Sequence, residues 1–242
     1  MRIELVVFDL DGTLIDSKLD LALAVNATRA EAQLLALEHE TVFSYVGDGA
    51  PTLIRRALGE EAGEVQRQHS LEFFLGYYRL HMLDNTRLYP GVREALDHML
   101  AAGLRLAVLT NKPVRFCRDL IRGLGLAGHF QAVYGGNSFD TKKPDPEGLR
   151  KVIAEMGVAP EETLVVGDSG VDVQTARNAG AWACGVTYGF QPETFRETPP
   201  DLLVDDLEQL AESLIQGRVK QPSPAPPARI SGPNCAAPFP PE

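Results

Sequence analysis

The chain has 242 residues, 44% of them hydrophobic, which is enough to bury a sizeable core in one large domain or in a domain with an insertion. Its formal net charge of −10 argues against a surface for nucleic acid or for anionic lipid, where Lys and Arg would be in excess. The three distant cysteines, Cys117, Cys184 and Cys235, fit neither a disulfide framework nor a thiolate metal site, and no segment approaches the roughly 20 apolar residues of a membrane helix, so we expect a cytoplasmic protein.

The first predicted element is a strand at residues 3–8, and the N-terminal residues show no secretory-signal pattern. The strand is apolar and partly β-branched, and it is followed at once by Asp9-Leu10-Asp11-Gly12-Thr13. Two carboxylates and a turn at the end of a buried strand lie where α/β enzymes keep their chemistry. A plain strand-to-turn connection is the alternative, because Asp and Gly are common turn residues and Thr can cap a helix.

Residues 17–88 contain no convincing buried strand and show helical periodicity twice. One apolar stripe consists of Leu19, Leu23, Ala27, Ala30 and Leu34, and a second of Phe73, Phe74, Tyr77, Tyr78 and His81. These patterns predict an inserted, all-helical subdomain. Its two connections, near residues 14–17 and 89–91, are candidate hinges of a lid over a site, and a rigid packed insertion without gating is the alternative.

Strands and helices alternate after this insertion. Further buried strands are predicted at residues 104–109, 131–134, 163–166 and 182–187, and helices at residues 92–102, 114–124, 146–156 and 171–179. Each helix is followed by a glycine at the position of a C-terminal cap, namely Gly103, Gly125, Gly157 and Gly180. The alternation predicts an α/β fold with a doubly wound parallel sheet.

The last predicted segment begins near Gln221, where the chain becomes rich in proline and loses its apolar periodicity. This composition is typical of a disordered tail, and a ligand for a proline-binding module is the alternative. The predicted organisation is therefore an α/β core at residues 1–16 and 89–217, a helical cap at residues 17–88, and a tail at residues 218–242.

Three further polar motifs lie at or just beyond the ends of predicted strands. They are Thr110-Asn111, Lys143-Pro144, and Gly167-Asp168 with Asp172. Each alone is a weak signal, because such residues also cap helices, form turns or carry solvated loop charges. Since the carboxyl ends of parallel strands meet at one edge of a sheet, their order and placement predict one site shared with Asp9 and Asp11.

In this order the four motifs resemble those of the haloacid dehalogenase superfamily, on its phosphatase branch, with a helical cap inserted after the first strand of a Rossmann-like core. The resemblance covers nearly all of the chain up to about residue 215. Within the superfamily, bacterial phosphoglycolate phosphatases are most similar in residues 8–17, in Val46-Gly47-Asp48-Gly49-Ala50 and in Tyr89-Pro90-Gly91-Val92. Asp11 favours the phosphatases over the dehalogenases, whose branch lacks an Asp two residues after the nucleophile.

The resemblance implies catalysis through an aspartyl phosphate. Asp9 matches the nucleophile, and Asp11 matches the group that protonates the leaving oxygen and later deprotonates the attacking water. Lys143 matches a fixed positive charge near the nucleophile. Thr110 and the Asn111 backbone match donors of hydrogen bonds to the phosphate.

A metal ion is also expected, because two carboxylates beside a phosphate repel one another. Mg²⁺ suits such a site, since it prefers oxygen ligands and needs only one or two carboxylates besides water and phosphate oxygen. The ligands that the resemblance implies are the side chains of Asp9 and Asp168 and the backbone carbonyl of Asp11. Asp172 matches a position of second rank, which binds the metal directly or through water.

We therefore expect a Mg²⁺-dependent phosphatase for a small phosphorylated metabolite, first of all 2-phosphoglycolate. The expected assembly is a monomer or a homodimer, without nucleic-acid or membrane partners. The alternatives are a β-phosphoglucomutase-like phosphotransferase, a pyrophosphatase or nucleotidase, and a phosphate-binding regulatory protein without turnover. The aromatic stripe at residues 73–78 is interpreted as cap core, and Arg55 and Arg56 either meet a substrate carboxylate or lie on a solvated helix face.

Overall fold

Six parallel strands form the central sheet of the computed structural model, which describes residues 2–217. In chain order the strands are β1 (Leu5–Phe8), β4 (Arg105–Leu109), β5 (Ala132–Tyr134), β6 (Thr163–Gly167), β7 (Trp182–Val186) and β8 (Leu202–Val204). Their spatial order is β5-β4-β1-β6-β7-β8. The predicted doubly wound parallel sheet is confirmed, and the five predicted strands differ from the observed ones by one or two residues at an end.

Both faces of the sheet are covered at its centre, and alternate residues of the central strands β1, β4 and β6 divide between two apolar layers. Val6 and Phe8 of β1 face one layer, and Leu5 and Val7 face the other. Complete burial of such a side chain contributes about 1.5–3 kcal/mol. The helices that cover the sheet are α5 (Val92–Ala101), α6 (Val114–Gly123), α7 (Glu147–Met156), α8 (Gly170–Ala179) and α9 (Leu207–Ile215).

The sequence did not predict β8 and α9. Strand β8 has only three residues, which is shorter than the apolar runs that identify a buried strand. Helix α9 begins after Asp206, whose side chain accepts a hydrogen bond from Gln209 N (2.7 Å). A polar N-cap of this kind is not part of an apolar stripe. The search for apolar periodicity therefore did not identify the helix.

Four helices lie between β2 (Ile15–Asp16) and β3 (Arg87–Leu88), and these two short strands pair antiparallel. The helices are α1 (Lys18–Glu31), α2 (His39–Phe43), α3 (Ala50–Leu58) and α4 (Glu64–His81). All four lie inside the segment predicted to be a helical insertion.

The predicted inner face of α1 is wrong. Leu19 and Leu23 are 40% and 41% exposed, and the buried residues of the helix lie mainly on a different face, which includes Leu21, Val25 and Thr28. The buried positions include polar side chains and alanines, which are less hydrophobic than leucine. The apolar pattern of the sequence therefore indicated the face with the leucines, which is the exposed one. The second stripe is placed better, because Phe74 and Tyr78 of α4 are buried.

The buried carboxylate of Asp20 joins the start of α1 to the segment that precedes β3. It accepts hydrogen bonds from Asn85 N (3.0 Å), Asn85 Nδ2 (2.8 Å), Thr86 N (2.8 Å) and Thr86 Oγ1 (2.7 Å). Charge-assisted bonds of this kind are among the stronger ones in proteins. The two ends of the helical segment are therefore held side by side.

Within residues 2–217, none of the helices combines the length and the apolar character that crossing a bilayer requires. The predicted proline-rich tail at residues 218–242, including Cys235, lies outside the described residues.

Candidate active site

The three central strands bring distant polar residues to one edge of the sheet. Phe8, the last residue of β1, pairs with Val108 of β4 on one side and with Val166 of β6 on the other. The residues that follow these strands, Asp9, Thr110 and Asp168, therefore emerge at the same edge. Strand order also reverses here, and such a switch point is where ligands bind in open α/β sheets.

Gly12 forms the turn that follows the first strand, with a φ of +81°. A Cβ atom at this position would lie 2.2 Å from Asp168 Oδ2. Glycine is therefore needed both for the left-handed backbone and for the close approach of this carboxylate.

Three carboxylates gather at this edge. Asp9, Asp168 and Asp172 each offer an oxygen atom, and these atoms lie within 4.8 Å of one another. Burial, together with the neighbouring charges of Asp172 and Asp9, raises the pKa of Asp168 well above its ordinary value. Burial also raises the pKa of Asp172, although the Lys143 ammonium opposes the shift. The cluster therefore carries an electrostatic repulsion that a cation relieves.

Lys143 supplies a positive charge inside this cluster. Its Nζ lies 2.6 Å from Asp172 Oδ1 and 2.9 Å from Asp9 Oδ1, and its side chain is 6% exposed. Burial lowers the pKa of the Lys143 ammonium, but the two carboxylates raise it more, so that the net shift is upward. The Asn111 side chain fixes the lysine backbone, since Oδ1 accepts from Lys143 N (3.0 Å) and Nδ2 donates to Lys143 O (3.2 Å).

The carboxylate cluster suits a hard divalent cation. Asp9 Oδ1 is buried and has no partner in hydrogen-bonding geometry among the described residues, because the contact with Lys143 is close but poorly aligned. The Asp168 carboxylate accepts one hydrogen bond within residues 2–217, from Phe190 N to Oδ2 (2.6 Å), which leaves Oδ1 available. Both oxygens of Asp172 are already bonded, to Lys143 and to Ser169. An all-oxygen donor set of this kind fits Mg²⁺.

Asp11 has different surroundings from Asp9. Ser17 Oγ donates a hydrogen bond to Asp11 Oδ1 (2.5 Å). The Nζ of Lys112 lies 3.0 Å from Oδ1 and 2.9 Å from Oδ2, and it also donates to the Tyr78 hydroxyl (2.8 Å). Burial lowers the pKa of Lys112, but Asp11 and Tyr78 raise it more, so that the net shift is upward.

Sequence reasoning missed Lys112, Ser17 and the polar role of Tyr78. A signal was present, because Lys112-Pro113 repeats the Lys-Pro pattern that singled out Lys143-Pro144. Tyr78 was assigned to the cap core with the rest of the aromatic stripe. Its ring does pack there, but its hydroxyl contacts Lys112.

Core loops and helical insertion together enclose a cavity of about 70 Å³. Asp9, Asp11 and Lys143 line one side, and Gly47, Gly49, Ala50, Leu53, Phe74 and Tyr78 from the insertion line the other. Three hydrogen bonds join the sides directly: Gln191 Nε2 donates to Val46 O (2.8 Å), Asn111 Nδ2 donates to Gly47 O (3.2 Å), and Lys112 Nζ donates to the Tyr78 hydroxyl (2.8 Å).

Arg55 and Arg56 do not line this cavity. Arg55 pairs with Glu60 (2.9 Å), and Arg56 pairs with Asp48 (2.6 Å). Of the two interpretations of these arginines, the structure favours the helix face outside the cavity, where both residues are half-buried.

Comparison with known proteins gives consistent matches over the described part of the chain. The sequence profile of the haloacid dehalogenase-like hydrolases matches residues 6–186. The phosphoglycolate phosphatase of Vibrio vulnificus (strain CMCP6) is 38% identical over 221 residues, which cover 88% of this chain and 97% of that protein. The phosphoglycolate phosphatase of Chromobacterium violaceum is 39% identical over 220 residues, which cover 89% of this chain and 98% of that protein.

A solved structure gives the same result for the fold. The crystal structure of a predicted phosphoglycolate phosphatase from Haemophilus somnus 129PT superposes with a TM-score of 0.84 at 32% identity. The superposition covers 88% of this chain and 98% of that one. Fold and family are therefore shared along almost the whole length of these relatives.

Proposed function

The chain belongs to the haloacid dehalogenase-like hydrolases and is a phosphatase, and from that premise we propose that it hydrolyses 2-phosphoglycolate to glycolate and phosphate with Mg²⁺. One observation carries the proposal. Asp9 and Asp11 line a single small cavity, yet one lies beside Lys143 and a carboxylate pair, and the other is held by Ser17 and Lys112. Two carboxylates in different surroundings suit two different chemical roles.

In the proposed first step, Asp9 attacks phosphorus and displaces the ester oxygen. An Asp9–phosphorus bond forms, the bond from phosphorus to the glycolate oxygen breaks, and that oxygen takes a proton from Asp11. Lys143 neutralises charge on the transferring oxygens. Thr110 and the Asn111 backbone donate to them, at the end of the neighbouring strand.

In the proposed second step, water attacks the phosphorus of the aspartyl phosphate. Asp11 accepts the proton of this water, the Asp9–phosphorus bond breaks, and the Asp9 carboxylate is restored as phosphate leaves. A positioned acid-base group of this kind contributes typically about 10²–10⁴-fold to the rate. Asp11 acts in both steps, so the rate of each step depends on the position of its carboxylate.

A bound Mg²⁺ would be held by the carboxylates of Asp9 and Asp168 and by the Asp11 carbonyl, with Asp172 in the second rank. The ion would neutralise charge on the phosphate and the carboxylates. The available oxygens of Asp9 and Asp168 support this assignment. The two bonded oxygens of Asp172 support its lower rank.

The size of the cavity supports a small ester. A volume of about 70 Å³ corresponds to roughly five to seven water-sized positions. We therefore treat residues 17–88 as a cap that closes over a short substrate and admits it by moving on its two connections. The named activity of the relatives supports 2-phosphoglycolate in particular.

The proposal includes a cytoplasmic setting and a monomer or homodimer. The two cysteines among the described residues, Cys117 and Cys184, are both free and buried. That is compatible with a reducing compartment, where free thiols persist.

The test is a comparison of kcat/KM, with Mg²⁺, for 2-phosphoglycolate, glucose 6-phosphate, a nucleoside monophosphate and pyrophosphate. We expect 2-phosphoglycolate to lead and chelation by EDTA to remove the activity. A higher value for another ester would overturn the assigned substrate. Isomerisation of a sugar phosphate without phosphate release would identify a mutase, and Mg²⁺ binding without turnover of any compound would contradict the enzymatic proposal.

A further inference from the structure

Lys112 is a buried cation that the proposed mechanism does not use. It follows Thr110-Asn111 at the end of β4, and its side chain is 6% exposed. An ammonium group has three N–H donors, and three acceptors surround this one: both carboxylate oxygens of Asp11, at 3.0 and 2.9 Å, and the Tyr78 hydroxyl, at 2.8 Å. No donor of Lys112 is left for a substrate, so the lysine acts on Asp11.

Tyr78 carries this contact into the cap. Its ring stacks on Phe74 of the same helix, with centroids 5.7 Å apart, and meets the edge of Phe116 of the core at 5.5 Å. The Lys112 ammonium also lies 4.6 Å from the centroid of the Tyr78 ring, within the range of a cation–π contact. Burial raises the pKa of the Tyr78 hydroxyl to about 12, so the group stays a neutral phenol.

A purely structural role explains this arrangement poorly. Burying an ion pair costs desolvation free energy that the attraction of the charges often only offsets, so such a pair is weak support for stability. This pair lies instead between the proposed acid-base group and the helix that covers the cavity. Lys112 and Ser17 together contact both oxygens of Asp11, which fixes the rotation of the carboxylate.

We propose that Lys112 is a positioning residue that holds Asp11 in its catalytic orientation, and that Tyr78 joins this support to the cap. This inference rests on the proposed function, because it assigns Asp11 the acid-base role. It predicts that losing Lys112 affects kcat more than KM. It also predicts that the substitution of Lys112 lowers kcat only when Asp11 is present.

The test is a double-mutant cycle. Lys112→Met alone should lower kcat by about 10–10²-fold, part of what an acid-base group contributes, with KM changed less than about threefold. In the background of Asp11→Asn, which itself lowers kcat, the same substitution should add less than about twofold, because residues that act as a unit are not additive. Losses that multiply would overturn the inference, as would an unchanged kcat for Lys112→Met.

Tyr78→Phe tests the connection to the cap and keeps the test valid if Lys112→Met does not fold. Removing one hydroxyl partner should lower kcat by about three- to tenfold, and again by less than about twofold beside Asp11→Asn. Tyr77→Phe is the matched control, one residue away on α4 and half-buried, and should leave kcat unchanged. Equal effects of the two substitutions would overturn the role of Tyr78.

The two proposals fail in different ways. A wild-type protein that turns over no ester contradicts the proposed function. An active wild type with unaltered Lys112→Met and Tyr78→Phe variants contradicts only the positioning role.

Discussion

The two halves of the candidate site are built differently. The phosphate half consists of Asp9, Thr110, Lys143, Asp168 and Asp172, and all of these lie in loops at the ends of core strands or in the first turn of α8. The leaving-group half consists of Asp11, Ser17, Lys112 and Tyr78, and it joins the core to the cap through the contact between Lys112 and Tyr78. The side chains of the phosphate half therefore all come from the core, whereas the leaving-group half also needs Ser17 and Tyr78 from residues 17–88.

Asp9→Asn removes the proposed nucleophile of the phosphate half and is expected to have the largest effect. The amide cannot form the acyl phosphate, so phosphate release should fall by at least about 10⁴-fold. The circular dichroism spectrum should be unchanged, because the amide has nearly the same size. Asp119→Asn, at a half-buried carboxylate on α6 that does not line the cavity, is the control, and a variant at Asp9 with wild-type turnover would rule out this nucleophile.

Lys143→Met asks whether the phosphate half depends on its buried positive charge. The Nζ lies 2.6 and 2.9 Å from two carboxylates, so kcat should fall by about 10²–10³-fold, as when a preorganised electrostatic group is removed. Lys142→Met provides the matched control, since this neighbouring lysine is exposed. If both variants lost the same activity in a phosphate-release assay, the placement of Lys143 would not be what matters.

Gly12→Ala disturbs the turn that links the two halves. The added Cβ meets Asp168 in a backbone region unfavourable to alanine, so the free energy of unfolding should fall by about 2–4 kcal/mol. Displacement of the carboxylate should lower kcat by about 10–10²-fold. Urea unfolding and steady-state kinetics measure the two effects.

Gly59→Ala is the control for Gly12→Ala, because it separates the cost of backbone strain from the cost of the contact with Asp168. Gly59 has a φ of +88°, and a Cβ there has no neighbour within 4 Å. It should therefore show only the backbone cost, about 1–3 kcal/mol, with full activity. Equal losses of stability in the two variants would show that contact with Asp168 contributes nothing.

Gln191→Ala removes one contact between the core and the helical insertion and is expected to have the smallest effect. It removes the hydrogen bond to Val46 O (2.8 Å), so kcat/KM should fall by about two- to tenfold. The phosphate half should keep its Mg²⁺ affinity, which isothermal titration measures. Gln174→Ala on the exposed face of α8 is the control, and a loss of Mg²⁺ binding in Gln191→Ala would contradict the independence of the halves.

The phosphate half could be located from the sequence because its signals are local. Asp9 and Asp168 each follow an apolar run that forms a central strand, and parallel strands bring such positions together without knowledge of side-chain packing. The alternation of apolar runs and helix-length segments predicted five of the six strands and the helices between residues 92 and 179, and helical periodicity predicted helices within residues 17–88.

The leaving-group half could not be assembled in this way. Lys112 and Tyr78 belong to the core and the cap, and their contact depends on how two helical layers pack, which no periodicity encodes. The inner face of α1 was misassigned for a related reason. Its buried positions include Asp20 and Thr28: the partners of Asp20 are distant in sequence, and Thr28 donates to the Ala24 carbonyl of the preceding turn.

The antiparallel pairing of β2 with β3 determines where a segment can be inserted into this fold. Ile15 pairs with Leu88 and Asp16 with Arg87 in a separate two-stranded sheet, so the helical insertion begins and ends at neighbouring positions. Anything spliced between these paired residues meets the same two anchor positions, whatever its length. An exchanged insert would thus keep both anchor positions, but it would replace Ser17 and Tyr78 and would have to bring its own partners for Asp11 and Lys112.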